Sequence, residues 1–309
     1  MNDATRALRR VAREIGGTEV VDRLADLSGS DFTSVMLEVV RRRAARETPA
    51  SVLRRYKQDR FVQPGSIPWD AGRRAEDILL GCLPADVDVV TLAPLVPLGT
   101  HSALGTVSQN KVVTAIRACE VAADPTNALA LEAAVRRAGP AVGTVRLAAI
   151  QRVVRAQQFE AGLSAHFGLF AMVTAGRDEG SCRFEQAALA GQVRFAVAGL
   201  RAADLPEVQV ALTPFSEAGE RIAAGTAAEL AGLPAHIVLD HDRAAGRGYY
   251  RDLAFSVSAL AGGRPAEIGD GGFTDWTAKL LASTKERLLI SGYGLDRVAA
   301  AISTRRSAG

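Results

Sequence analysis

The sequence predicts an α+β fold, a mostly antiparallel sheet with helices packed on it. Three observations predict it. Short runs that are β-branched or alternate apolar with polar, such as VQVALTPF, HIVLD and DLAFSVSAL, are separated by turn residues. Helical segments of unequal length, such as NALALEAAVRRA and SCRFEQAALAGQVRFAVAGLRAADL, fall between them without a period. Neither an internal repeat nor a regular βαβ succession is present.

Residues 3 to about 60 read as helices, with Leu8, Val11 and Ile15 on one face and Val35, Leu37 and Val40 more loosely on another. Ser30-Asp31 is the expected N-cap of the second helix, and Thr48-Pro49 opens a third, because proline is tolerated in a first turn. QPGSIPWD, from Gln63 to Asp70, reads as a linker. The chain thus divides into a helical N-terminal extension, residues 1–65, and a core, residues 70–309. The extension reads as a packing or dimerisation appendage.

In the core, VDVVTLAPLVPLG is β-branched and broken by Pro94 and Pro97, as in a strand near a sheet edge. A helix is expected from Asn127 to Ala138, and Val145 to Gln157 is basic and mixed. A strand follows over Phe167 to Ala175, and then a long helix with Phe184, Ala188, Val193, Val197 and Leu200 on one face. Another helix spans Glu217 to Leu230 and stops at AGLP, and DLAFSVSAL runs to a turn at Gly262-Gly263. The segment Gly269 to Val298 reads as a glycine-rich turn, a helix, the strand LLIS, a second turn at Gly292 and Gly294, and a helix opening at Leu295. Paired glycines let backbone approach a ligand, and Arg297 just beyond them is placed to meet an anion or a flat ring.

A formal net charge of +3 gives no basic surface of the kind nucleic acid requires. Only four basic residues are lysines, Lys57, Lys111, Lys279 and Lys285, which reads as a compositional bias toward arginine. Cys82, Cys119 and Cys182 are odd in number and far apart, so no disulfide framework or zinc site is indicated. The N-terminus lacks a secretory apolar region, and no apolar run reaches the ~18 residues of a membrane span. A cytoplasmic protein without membrane contact is expected. There is no GxxxxGK[ST] loop, no early GxGxxG, no GxSxG elbow and no HExxH, and the four histidines lack metal-ligand spacing.

An arginine-based anion site remains. Arg155 in RVVRAQQF precedes the loop EAGLSAH and the strand FGLFAMVTA, and Arg297 follows the second glycine pair. Two guanidinium groups on separate elements suit a triphosphate clamp, with His166 at the loop's end within reach of a terminal phosphate. Composition alone reads the same arginines as ordinary surface residues.

The ordered segments resemble the catalytic core of class II aminoacyl-tRNA synthetases, within them the histidyl branch, over about residues 75 to 305. VDVVTLAPLVPLG resembles the first motif, which lies at that family's dimer interface. RVVRAQQFEAGLSAHFGLFAMV resembles the second, with Arg155 as its arginine and His166-Phe167 closing the loop. SGYGLDRV resembles the third, with Gly292, Gly294 and Arg297. ADPTNALALEAA resembles the segment that receives the ammonium group, with Asp124 and Thr126. GRGYYRDLAFSV resembles the double-tyrosine turn, with Tyr249 and Tyr250, and GDGGFTDW the glycine-rich turn, with Gly271, Gly272 and Asp275.

The sequence departs from the pattern in four places. Gln157 stands at the second motif's glutamate. Ala245 stands at the arginine before the tyrosines, with Arg247 two positions on. Phe273 and Thr274 replace an arginine and a tyrosine. No anticodon-binding domain is expected after Arg297. The resemblance therefore implies ATP-dependent activation of an amino acid or related carboxylate through an adenylate, without anticodon recognition. Arg155 would hold the α-phosphate, Arg297 the γ-phosphate or adenine face, His166 the pyrophosphate end, and Mg²⁺ would bridge phosphates. Gln157 and Phe167 fall beside ATP. Asp124, Thr126, Arg247, Tyr249, Tyr250, Gly271, Gly272 and Asp275 fall around the amino acid. A homodimer is implied, with a carrier protein or another enzyme as a further partner. The same core also resembles the regulatory subunit of ATP phosphoribosyltransferase, a non-catalytic amino-acid-binding protein. A scaffold with neither activity is the third reading.

Overall fold

The computed structural model describes residues 3–139, 143–157, 164–261 and 264–306. Four helices lead: α1 (Asp3–Glu14), α2 (Glu19–Ala25), α3 (Gly29–Ala44) and α4 (Pro49–Gln58). Then come α5 (Trp69–Gly81), β1 (Asp88–Val89), β2 (Leu95–Pro97), α6 (Thr100–Ala103), β3 (Thr114–Ala115), β4 (Cys119–Val121) and α7 (Pro125–Arg137). The central strands β5 (Val145–Val154) and β6 (His166–Arg177) lead into α8 (Arg183–Ala202), β7 (Gln209–Pro214), α9 (Glu217–Glu229) and β8 (His236–Leu239). The chain continues through β9 (Arg251–Ala261), β10 (Arg264–Thr274), α10 (Trp276–Leu280), β11 (Glu286–Gly294) and α11 (Leu295–Arg306).

Eight strands form one sheet in the order β1-β5-β6-β11-β10-β9-β7-β8. Every inner pair is antiparallel, and only the two outermost pairings, β1 with β5 and β7 with β8, are parallel. The expected α+β class with a mostly antiparallel sheet is therefore the observed one. Alternation along the strands divides the core between two faces. On one face Phe170, Phe255, Leu289 and Tyr293 pack with Leu79 of α5, Phe195 of α8 and Val298 of α11. Phe195 stacks on Phe170 at 5.1 Å between centroids and meets Tyr293 edge-on at 5.7 Å. On the other face Leu147, Ala171, Val173 and Ile290 pack against Leu129, Ala130 and Ala133 of α7 and Trp276 of α10. Alanines at these α7 positions let the helix lie close to the strands.

The sequence reading departs from the structure at several elements. VDVVTLAPLVPLG is two short strands in different sheets: β1 joins the main sheet, and β2 joins a small sheet in the order β2-β4-β3. Pro94 and Pro97 cannot donate to a continuous ladder, which explains the break. Gly269 to Thr274 is strand and not turn, and Gly292 and Gly294 end β11 within the ladder, paired with Asp270 of β10 and Leu169 of β6. The cap of α3 is Ser28, whose Oγ accepts from the Asp31 N–H at 3.2 Å, and not Ser30-Asp31. Val145–Val154 is a ten-residue strand, and α5 begins within the expected linker. The Gly262-Gly263 turn and residues 158–163, most of the EAGLSAH loop, lie outside the described residues.

None of α2, α3 and α4 buries a residue, and Val35, Val40, Val52, Leu53 and Tyr56 on them are exposed. The extension is thus a helical layer with unpartnered apolar positions.

An arginine–carboxylate pair is buried in the core. Arg137, at the end of α7, makes a two-pronged contact with Glu286 at the start of β11, Nε to Oε2 at 2.9 Å and Nη2 to Oε1 at 3.0 Å. Removing one partner leaves a buried charge uncompensated. Arg137→Ala is expected to lower the unfolding free energy by about 3–5 kcal/mol, read as a drop in urea midpoint at unchanged slope. A loss below about 1 kcal/mol would show the pair to be solvated in solution.

Candidate functional site

β5 ends at Val154, and Arg155 is the next residue, its N–H donating to the Ala165 carbonyl at 2.9 Å. Its guanidinium turns back over the α7 face of the sheet. Nε donates to the Ala123 carbonyl at 2.9 Å, Nη2 lies 3.5 Å from Asp124 Oδ2, and Cζ stands 5.2 Å from the Phe167 ring centroid. Asp124 is the N-cap of α7, with Pro125 at the first helical position, where a missing N–H costs nothing. Its Oδ1 accepts from the Thr126 N–H at 2.9 Å and from Thr126 Oγ1 at 2.7 Å. Thr126 is itself buried, so it orients the carboxylate and leaves Oδ2 toward Arg155. Local sequence therefore explains Asp124, and strand length explains Arg155.

The backbone of Ala123, between them, is held through both its N–H and its carbonyl. Its N–H donates to His101 Nε2 at 3.0 Å, which fixes the ring proton on Nδ1, and Nδ1 donates to Glu120 Oε1 at 2.6 Å. Glu120 has 0% exposure and His101 1%. Glu120 also accepts from the backbone N–H groups of His101 and Gly99 and from Gln109 Nε2. Burial alone would raise this carboxyl, but those hydrogen bonds outweigh it and hold Glu120 below the usual glutamate range.

Across the same face stand the two tyrosines. Tyr249 packs edge-on against Tyr250 at 4.9 Å and Trp276 at 5.8 Å between centroids. The Tyr250 ring lies on Gly272, where a Cβ would come within 2.5 Å of it. Burial first, then the charges of Asp124 and Asp270, push the Tyr249 phenol well above its ordinary value. Tyr249 therefore sits within electrostatic reach of both carboxylates. Asp270 Oδ2 accepts from Arg243 Nη2 at 3.1 Å and from the Tyr250 hydroxyl at 3.4 Å. Burial raises the Asp270 carboxyl, Arg243 opposes this, and Glu267 and Asp124 add to it.

Gly292, the register partner of Asp270, has nothing within 4 Å of where its Cβ would be. Gly294, two residues on, is overlaid by the aliphatic part of Arg297, whose Nη1 donates to the Glu267 carbonyl at 2.6 Å. Arg155 over β6 and Arg297 over β10 thus occupy one end of one face, two strand spacings or about 10 Å apart, with the open floor of Gly292 between them.

Several expected site residues are not brought to this cleft. His166 faces the side of β6 that carries Phe170, where Nδ1 meets Arg152 Nη1 at 2.8 Å and Nε2 meets the Gln63 carbonyl at 2.5 Å. Strand alternation puts Phe167 in the site and its neighbour outside it. Gly271 faces the core and makes room for the Phe255 ring. Asp275 pairs with Arg251 at 2.6 Å and Lys279 at 3.0 Å, beside a cavity of about 750 Å³ at the opposite end of the strands. Arg247 is exposed over the Phe215 ring, 5.1 Å from its centroid. Gln157 is half-buried, and its carbonyl accepts from Arg60 Nη1 at 2.8 Å.

Sequence reading missed Asp270, Arg243 and the Glu120–His101 pair. An acidic residue within a glycine-rich strand is the signal that pointed to Asp270. Nothing local marks the other three, which meet their partners across 19 to 27 residues of chain.

No protein-family model and no curated protein matches the sequence. Solved structures do match, three of them with a TM-score of 0.60. An ATP phosphoribosyltransferase regulatory subunit/histidyl-tRNA synthetase from Bacillus halodurans is 12% identical, over 78% of this chain and 82% of that one. A histidyl-tRNA synthetase from S. aureus is 12% identical over 77% and 66%, and a histidine–tRNA ligase subunit from Alicyclobacillus acidocaldarius 13% identical over 80% and 97%. The fold is class II synthetase-like, and at such identities the likeness is one of fold.

Glu120 makes one pH-dependent contribution to this scaffold. A carboxyl held low in the folded state stabilises above the ordinary glutamate range, and that contribution is lost as pH falls through its folded value. Glu120→Gln is expected to cost about 1.5–3 kcal/mol at pH 7 and to flatten the loss of stability below pH ~4, measured by urea denaturation at several pH values. An unchanged acid slope would remove Glu120 from this role.

Proposed function

We propose that the cleft between Arg155 and Arg297 takes ATP, that the adjoining pocket of Asp124, Tyr249 and Tyr250 takes an amino acid or related carboxylate, and that the protein joins the two as an adenylate. One observation carries the reading: both arginines stand on the same face and end of the sheet, with unfilled space above Gly292. The reaction forms a bond from the substrate carboxylate oxygen to the α-phosphorus and breaks the bond from that phosphorus to the departing pyrophosphate. Arg155, already aligned on Phe167, would neutralise charge growing on the α-phosphate, and Arg297 would leave the Glu267 carbonyl for the far phosphates or the adenine face. Asp124 would take the ammonium group in exchange for its long contact to Arg155. Among the described residues no group of three or more His, Cys, Asp or Glu is gathered to hold a metal, so Mg²⁺ would enter on the phosphates. No described helix is long and apolar enough to cross a membrane.

A second reading, an amino-acid-binding regulatory subunit, is favoured by Ala245 in place of the family's arginine and by His166 lying on the other face. Under either reading a second copy is proposed to cover the exposed Leu98 and Leu280, which with Leu131 line a shallow cavity of about 420 Å³. A carrier protein or partner enzyme would take the adenylate or the signal.

ATP–pyrophosphate exchange across the twenty amino acids tests the proposal. Exchange is expected with at least one of them, reduced about 10²–10³-fold in Arg155→Ala and about tenfold or more in Arg297→Ala. No exchange with any, together with thermal stabilisation by an amino acid without ATP, would establish the regulatory reading.

A further inference from the structure

The pocket carries more carboxylate than an α-amino acid's ammonium group requires. Asp124 alone meets that need. Asp270 lies on the same face, and both of its hydrogen bonds, from Arg243 Nη2 and the Tyr250 hydroxyl, fall on Oδ2. No described residue bonds Oδ1. The Asp270 side chain keeps 41% of its surface while Arg243 beside it keeps 12%, so the carboxylate opens toward the cleft and the guanidinium does not. The open face of Gly292 lies directly across the ladder from it.

The charges around it point the same way. Burial, with Glu267 and Asp124 nearby, leaves this carboxyl raised even though Arg243 opposes the shift. A partly exposed carboxylate with one oxygen unbonded by any described residue is open to an arriving cation. The Tyr249 and Tyr250 rings beside it offer aromatic surface for the aliphatic stem or the charge itself.

We propose that Asp270 determines specificity, and that the ligand is an α-amino acid whose side chain ends in an alkylammonium or guanidinium group, its α-ammonium on Asp124 and its side-chain cation on Asp270 Oδ1. The inference rests on the cleft being an amino-acid site. A neutral amino acid would leave Oδ1 unpaired, and an acidic one would set two carboxylates together.

Calorimetric titration of the full chain with lysine, ornithine and arginine, and with leucine, glutamine and glutamate as controls, each with and without Mg·ATP, tests it. Saturable binding is expected for at least one cationic amino acid and for none of the controls. Asp270→Asn is expected to lower that affinity about tenfold or more and to erase the preference for cationic over neutral side chains, whereas Asp270→Glu retains the preference. The ratio of cationic to neutral binding is the readout, and a general loss of folding does not invert it. Binding of a control in place of the cationic ligands overturns the inference, as does an unchanged preference in Asp270→Asn. Mg·ATP binding with no amino acid bound overturns it while leaving the nucleotide cleft standing. Failure of both nucleotide and amino acids to bind removes the functional reading together with it.

Discussion

The geometry of the cleft hangs on the carboxylate of Glu120. Buried completely, it collects donors from His101, Gly99 and Gln109 and fixes one tautomer of His101. That tautomer accepts the Ala123 N–H, and the Ala123 carbonyl in turn accepts Arg155. Asp124, one residue on, caps α7 and faces the same guanidinium. The two peptide groups that flank the Ala123 Cα are each tied to a side chain, so the backbone torsions at Ala123 cannot change without breaking one of the bonds, and the placement of Arg155 and Asp124 is set by this buried network. Burying a carboxylate so deeply is tolerable only because its lone pairs are met.

The main sheet carries two unlike faces. One is filled by aromatic packing against α5, α8 and α11, and glycines there relieve crowding: Gly269 admits Tyr293 and Gly271 admits Phe255. The other is packed by α7 and α10, with open space at Gly292. Glycines on this face differ in use. Gly272 seats Tyr250, whereas Gly292 leaves a gap. The glycine-rich sequence thus reflects two demands, close packing on one side and clearance on the other, interleaved with the period of the strand.

The helical extension connects to the rear of the cleft through its linker. Arg60 donates to the carbonyls of Ala156 and Gln157, immediately after Arg155, while His166 and Arg152 contact Gln63 and Gly65 from the opposite face. His166 is therefore a strut between linker and sheet. The exposed apolar positions of α3 and α4 sit on a segment that is anchored beside the cleft yet buries nothing of its own.

The sequence by itself determined the α+β class and most helices and strands of the core, because these follow from local signals, β-branched runs and apolar periodicity, whereas Asp124 and the two tyrosines were marked only through the resemblance. It did not determine which way a strand residue points, since a shift of one position reverses the face. His166 beside Phe167, and Gly271 beside Gly272, divide on that ground alone. Nor did it separate turn from strand at Gly269–Thr274 and Gly292–Gly294, where glycine's freedom suits a turn but ladder pairing with neighbouring strands prevails. Only the tertiary structure brought Arg243 to Asp270 and His101 to Glu120, because those contacts join groups with no local relation, and their strength comes from shared burial rather than from any spacing in the chain.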